Sequence, residues 1–216
     1  MKGSSTSFPA TTPTILPSCS DTMDGCSLPD PQIDVPQGRI LLHACCAPCS
    51  SAILEWMVGK GLRPTVFFSD SNIWPEKEYA LRRDECRRWT ESLGLGFVDD
   101  TYDHGLWQDA VRGLEKEPER GKRCLECFRF RLERSAAYAH EHGFQVLSTT
   151  LASSRWKVLS QVDEAGEMAC AGYLDVKWWG QNWRKGGLQE RRYELIREKG
   201  FYNQLYCGCE FSYNHR

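Results

Sequence analysis

Arg39-Ile40-Leu41-Leu42-His43-Ala44-Cys45-Cys46-Ala47-Pro48-Cys49-Ser50 decides the fold. Ile40, Leu41 and Leu42 form a short apolar run of the kind that makes a strand buried on both faces. The run breaks into Cys45-Cys46, then Ala47-Pro48-Cys49, and Ser50-Ser51 lead into Ile53, Leu54, Trp56 and Met57, an amphipathic helical pattern. Pro48 suits a helix start, where its missing N–H would lack a partner anyway. Three thiols therefore sit where a strand hands over to a helix, the crevice in which open α/β sheets hold ligands. A helix N-terminus also favours thiolate over thiol. Buried cysteine often acts as a small hydrophobe, but three in five residues at a turn point to chemistry rather than packing.

Outward from this stretch, strand and helix patterns alternate. A strand is expected over 64–68, a charged helix over 76–93, a strand over 94–98 and a short helix over 104–112. A helix over 124–142 follows, then a strand over 145–148, a helix over 156–171, a strand over 173–178 and a last helix between Gly186-Gly187 and Gly200. This order predicts a single Rossmann-like α/β domain with a mostly parallel sheet over residues 37–216. Residues 1–36 are rich in Ser, Thr, Pro and Asp and read as a mobile N-terminal tail, unable to bury enough apolar surface to offset ordering entropy.

A hydrophobic share of 41% and a charged share of 26% are ordinary for a globular protein, and the net charge of −2 argues against general nucleic-acid affinity while leaving room for a local basic patch. No apolar stretch approaches the length of a membrane span, and Met1 to Leu16 has no secretory signal pattern, so a cytoplasmic protein is expected. Eleven cysteines are many for 216 residues. In a reducing compartment close-set cysteines more often bind metal than form disulfides.

Cys124-x-x-Cys127 lies at a helix start, which points both side chains to one face, with Lys122, Arg123 and Arg129 beside it to favour thiolates. Together with Cys45 and Cys46 it makes four thiolates, enough for a cubane iron–sulfur cluster or a four-thiolate zinc site. Adjacent cysteines are an awkward zinc pair, which favours iron–sulfur. Near the C-terminus, Cys207-Gly208-Cys209 in extended backbone would face both thiols the same way, and with Cys49 they offer three further ligands. Cys86 and Cys170 are solitary and read as packing, and Cys19 and Cys26 as incidental to the tail.

Aromatic and basic residues interleave late in the chain, with Arg155, Lys157, Trp183, Arg184 and Lys185 as candidate nucleic-acid contacts. Cations for phosphates beside flat rings for bases compose a single-stranded nucleic-acid surface. Residues 177–199 hold seven Lys or Arg against three Glu. The competing reading makes the tryptophans core and the charges a solvated helix face. No Walker-type phosphate loop, no Gly-x-Gly-x-x-Gly fingerprint and no Cys-x3-Cys-x2-Cys motif is present, since position 52 is alanine.

Six motifs in order resemble the QueH-type epoxyqueuosine reductases: Leu42 to Cys49, Asn72-Ile73-x-Pro75-x-x-Glu78-Tyr79, Arg123-Cys124-x-x-Cys127, Ser148 to Leu151, Arg184 to Gly187, and Tyr206 to Cys209. Ser69-Asp70-Ser71-Asn72 departs from the Asn-Pro-Asn frequent in that family, and the first 36 residues lie outside the pattern. The resemblance implies cobalamin-independent reduction of epoxyqueuosine to queuosine at the wobble position of a tRNA anticodon, the last step of queuosine synthesis. It implies a [4Fe-4S] cluster beside a second metal ion, taken as iron, with tRNA and an electron donor as partners.

On that reading the cluster is expected on Cys45, Cys46, Cys124 and Cys127, the second metal on Cys49, Cys207 and Cys209, and proton transfer from Asp70, Glu78 or Tyr79. Two rivals stand beside it: an ATP-using tRNA-modifying enzyme on the same fold, and a zinc-stabilised tRNA-binding module without catalysis.

Overall fold

The computed structural model describes residues 31–213. At its centre β1 (Ile40–Ala44) is buried along its whole length. It lies parallel to β2 (Thr65–Phe68) on one side and to β4 (Val146–Thr149) on the other. With β3 (Gly96–Asp99) beside β2 and β5 (Lys177–Trp178) beside β4, the five-stranded parallel sheet runs β3-β2-β1-β4-β5. A strand covered on both faces tolerates no polar alternation, hence Ile-Leu-Leu in β1. The chain winds one way from β1 to β3 and the other way through β4 and β5, so the direction switches between β1 and β4. The carboxyl ends of those two strands border the crevice where such sheets bind ligands.

The helices that flank the sheet are α1 (Ala47–Gly59), α2 (Glu76–Ser92), α3 (His104–Ala110), α4 (Lys122–Glu141), α5 (Leu159–Cys170) and α6 (Leu188–Lys199). Helix α1 has Pro48 in its first turn and packs against both α2 and α6, while α4 packs against α5. Left-handed Gly187 and Gly200, at φ 84° and 63°, bracket α6, the conformation that glycine adopts without a Cβ penalty.

Two boundaries differ from expectation for identifiable reasons. The helix expected from 156 starts at Leu159, because Thr150–Ser153 form a 3-10 turn opened by a Leu151 N–H to Thr149 Oγ1 bond of 3.1 Å. Arg184 then holds the carbonyls of Ala152 and Lys157 at 3.0 and 2.9 Å, which fixes 152–157 as a loop. The fifth strand shrinks to two residues, since Val176 closes a turn onto the Tyr173 carbonyl. A short helix, α7 (Glu210–Tyr213), follows the last cysteine.

The packed chain also reaches back ahead of residue 37. Ile33 rests on the core, and the Asp34 carbonyl accepts from Trp179 Nε1 at 3.1 Å. The expectations for residues 1–30, including Cys19 and Cys26, lie outside the described residues. Cys86 and Cys170 are buried, Cys86 Sγ lying 3.8 Å from Ser50 Oγ. Among the described residues no helix is long and apolar enough to cross a membrane.

Candidate metal centre

The sulfurs of Cys45, Cys46 and Cys49 lie within 4.8 Å of one another, all buried, at the carboxyl end of β1. Cys46 is the residue before α1 and Cys49 is in its first turn, so the helix's free N–H groups and positive end face this trio. The Cys45 and Cys46 sulfurs are 3.8 Å apart. Bonds from the Cys45 and Cys46 thiols hold the Cys49 thiol well below its ordinary range, and Arg192 and Lys157 add to this. Arg192 is aimed by its own bond from Nε to the Pro48 carbonyl, 3.0 Å, and its Nη2 lies 3.9 Å from Cys49 Sγ. Burial pushes the Cys46 thiol the other way. Between these two, negative charge falls on Cys49 rather than Cys46.

A second group of thiols forms where the start of α4 meets the C-terminal segment. Cys124, Cys207 and Cys209 line one cleft with Arg123, Trp156 and Lys157. Cys127 belongs to a small core with Trp107 and Val111, against which Cys209 and Phe211 pack. The Arg120 backbone N–H points at Cys124 Sγ, 3.2 Å away. Burial, together with the neighbouring Cys207 and Cys209, raises the Cys124 thiol to about 11. Burial raises Cys127 to about 12.

The loop 69–75 and helix α2 hold the Cys207-Gly208-Cys209 turn in place. The Trp74 N–H donates to the Gly208 carbonyl at 2.9 Å, and Arg82 donates to the carbonyls of Cys207 and Tyr206 at 3.1 and 3.4 Å. Arg82 is itself buried and paired with Glu78 at 2.7 Å, whose other oxygen accepts from Tyr202 Oη at 3.1 Å. Gly208 sits at φ +131°, and a Cβ there would lie 3.2 Å from both Arg82 Nη1 and Ile73 Cγ1.

Two cations join the groups. Half-buried Lys157 is raised above the ordinary lysine value although burial opposes this, because Cys207, Cys45 and Cys49 surround it with negative potential. Buried Arg131 lies in the field of Cys127, Cys45 and Cys207, donates to the Ser69 carbonyl at 3.2 Å, and pairs with Asp70. Asp70 is buried, and its Oδ2 has no partner among the described residues. Burial lifts its carboxyl to about 7 against the pull of Arg131. His43, also buried, is lowered to about 3 by desolvation and is neutral. Its Nε2 lies 3.2 Å from the Ser69 carbonyl, which only accepts, so that nitrogen carries the proton and Nδ1 accepts from Thr149 Oγ1 at 2.7 Å.

The structure places the seven thiols in two groups: Cys49 lies with Cys45 and Cys46, and Cys207 and Cys209 lie with Cys124 and Cys127. Glu78 grips Arg82, and the Tyr79 hydroxyl donates to Asp99 Oδ1 at 2.7 Å, so both are engaged. Among the expected nucleic-acid contacts, Arg155 and Lys185 are exposed and Lys157 is among the thiols. Trp183 is 1% exposed, with its Nε1–H on the Thr149 carbonyl at 2.9 Å and Trp56 and Trp179 against its ring, so it presents no surface for a base. Arg184 spends its guanidinium on the two carbonyls of the 152–157 loop. Arg82, Arg131 and Arg192 were not expected at the site. Only Arg82 left a signal, its i,i+4 spacing from Glu78.

The family model described as epoxyqueuosine reductase QueH matches residues 40–215. A protein named epoxyqueuosine reductase QueH from Histophilus somni (strain 129Pt) is 45% identical over 184 residues, covering 84% of this chain and 76% of the relative. The protein of that name from Haemophilus influenzae is 43% identical, covering 84% of this chain and 75% of the relative. The one from Thermotoga maritima is 34% identical, covering 81% and 90%. With the match running through every element of the sheet, the chain belongs to the epoxyqueuosine reductase QueH family.

Proposed function

We propose that this chain reduces epoxyqueuosine to queuosine at the wobble position of a tRNA anticodon, the last step of queuosine synthesis, in the cytoplasm, with electrons from an external donor. The observation that carries the reading is the buried trio Cys45, Cys46 and Cys49 at the ligand-binding end of a parallel sheet, with Cys124, Cys207 and Cys209 lining a cleft that shares Lys157 with it, in a member of this family.

The donor set fits a [4Fe-4S] cluster with a second metal ion, iron, beside it. Soft thiolates select such centres, and Lys157, Arg131 and Arg192 stand ready to offset their charge. Spatial grouping favours Cys124, Cys127, Cys207 and Cys209 for the cluster. Cys45, Cys46 and Cys49 then hold the second ion, three protein ligands leaving a position open as catalytic metal sites do. This replaces the division in which Cys45 and Cys46 join Cys124 and Cys127.

Turning the epoxide into an alkene releases its oxygen as water and consumes two electrons and two protons. The bound metals supply the electrons and a Lewis acid for the departing oxygen. Asp70 supplies a proton: raised to about 7, its carboxyl is protonated in part at neutral pH, with Oδ2 free to donate. Glu78 positions the Cys207 backbone through Arg82, and Tyr79 steadies the end of β3 through Asp99. Exposed Arg155 and Lys185 contact phosphates, while Trp183 and Arg184 shape the interior beneath them.

The test is to incubate anaerobically reconstituted protein with a low-potential reductant and tRNA carrying epoxyqueuosine, and to follow the nucleosides by mass spectrometry. Brown protein with iron and acid-labile sulfide, and conversion to queuosine, are expected. Colourless protein holding only stoichiometric zinc, with no conversion, would overturn the reading in favour of a zinc-stabilised RNA-binding module.

A further inference from the structure

The lip of the thiol cleft carries a side chain that the fold does not need. Trp156 is 63% exposed, more than Trp74, Tyr193 or Tyr213, and it belongs to neither apolar core cluster. Exposing an indole leaves in water apolar surface that burial would have turned to stability. Yet its backbone is firmly held: the Trp156 N–H donates to Ser154 Oγ at 3.3 Å, and its carbonyl accepts from Arg120 Nε at 3.0 Å. The neighbouring Lys157 and Ala152 carbonyls are fixed by Arg184.

Two exposed cations flank the ring. The Arg155 guanidinium carbon lies 4.8 Å from the ring centroid and that of Arg120 lies 5.9 Å from it. Neither arginine has a carboxylate partner among the described residues, so both remain available to an anion. Arg120 is also a non-glycine residue in the left-handed region, at φ 67°. Gln161 Nε2 donates to its carbonyl at 3.0 Å, and this backbone turn is what aims the Arg120 N–H at Cys124 Sγ. Strain of this kind persists where the surroundings enforce it, commonly at functional sites. One residue thus couples the indole to a thiol of the proposed centre.

We propose that Trp156 is a stacking platform for an unpaired nucleobase of the RNA substrate, adjacent to the base that enters the thiol cleft, with Arg120 and Arg155 gripping the flanking phosphates. This rests on the proposed reaction and names how its substrate is held. A flat ring with nearby cations accepts any base by its π face and the backbone by its charge. Because the loop is already ordered, little conformational freedom is lost on binding. Arg155 is one of the contacts expected from the sequence; Trp156 and Arg120 take the part that buried Trp183 and internally bonded Arg184 do not.

The test uses reconstituted holoprotein and an unmodified anticodon stem-loop labelled for fluorescence anisotropy. Trp156→Ala should weaken binding roughly tenfold or more, the scale of one lost base–aromatic stack, and Trp156→Phe should recover most of it. In turnover of epoxyqueuosine tRNA, Trp156→Ala should raise KM far more than it lowers kcat, with iron, sulfide and thermal midpoint unchanged. Stem-loops with single abasic loop positions then locate the partner: at one position wild type and Trp156→Ala should bind alike. If wild type binds and turns over but Trp156→Ala binds equally well, or no abasic position removes the difference, the platform is wrong and the reductase reading stands. If wild type neither binds the stem-loop nor converts the tRNA, both fall.

Discussion

Arg82 reaches across 125 residues of sequence to donate from Nη1 to the carbonyl oxygen of Cys207, 3.1 Å away. This is the main tether between helix α2 and a turn that has no secondary structure of its own. Glu78 holds the same guanidinium from the opposite side, and both groups are nearly excluded from water. Removing one partner of such a pair costs about 3–5 kcal/mol, because the other stays buried and unpaired. Arg82→Ala is therefore expected to lower the thermal midpoint and to lose most bound iron after reconstitution. Glu78→Gln, which keeps a hydrogen-bond acceptor, should lose less. Full iron and sulfide in Arg82→Ala, with an unshifted midpoint, would remove the tether from the account.

Gly208 gives a second, independent handle on the same turn. At φ +131° an L side chain is strained, and an added Cβ would meet Arg82 Nη1 and Ile73 Cγ1 at 3.2 Å. Strain of this kind costs about 1–3 kcal/mol. Gly208→Ala should displace the turn while leaving the sheet intact. Far-ultraviolet circular dichroism should match wild type, while metal retention by the Cys207 and Cys209 side falls. Unimpaired metal content would mean that the turn tolerates a side chain.

The contrast between these two residues shows what was legible in the sequence. The strand-to-helix break at Cys45, the alternation of elements and the seven thiols could be read directly, because each rests on local periodicity or on a residue type with few other uses. Boundaries at 156–158 and 173–176 could not, since Arg184 and the Tyr173 turn act from outside the local pattern. Trp183 and Trp156 look alike in sequence, each beside basic residues, and only the packing separates a core indole from an exposed one. Sequence spacing could not say which thiols lie together in space: Cys49 sits with Cys45 and Cys46, while Cys209 packs beside Cys127.

His43 makes the stability of the protein depend on pH. Its folded value is about 3, set first by desolvation and then by Arg131, against 6.5 for an unperturbed imidazole. Below pH 6.5 the unfolded chain takes up a proton that the folded chain refuses, so stability is full above that pH and is lost as pH falls toward 3. The loss approaches about 5 kcal/mol at its limit. Asp70 runs the opposite way, since its folded value of about 7 lies above 3.8 and the folded chain holds the extra proton between those values. His43→Asn should therefore flatten the acid limb of a urea-denaturation series between pH 6.5 and 4. Asp70→Asn should steepen that limb. A His43→Asn series parallel to wild type would mean that His43 is not neutral in the fold.

The division of thiols is the most exposed prediction. Cys45, Cys46 and Cys49 lie within 4.8 Å of one another at the head of α1, whereas Cys209 packs beside Cys127 and shares a cleft with Cys124 and Cys207. Helix α1 holds Cys49 through a backbone that none of the other four cysteines shares, so its loss leaves their positions unchanged. Cys49→Ala should keep the brown chromophore and the EPR signal of a reduced cubane, lose about one iron, and lose turnover. Cys209→Ala should lose most of the chromophore and sulfide, because it leaves one iron of the cubane without its thiolate. The reverse pattern, with the cubane signal lost in Cys49→Ala and kept in Cys209→Ala, would assign the cluster to the head of α1. Loss of the signal in both variants would make the two groups a single interdependent centre.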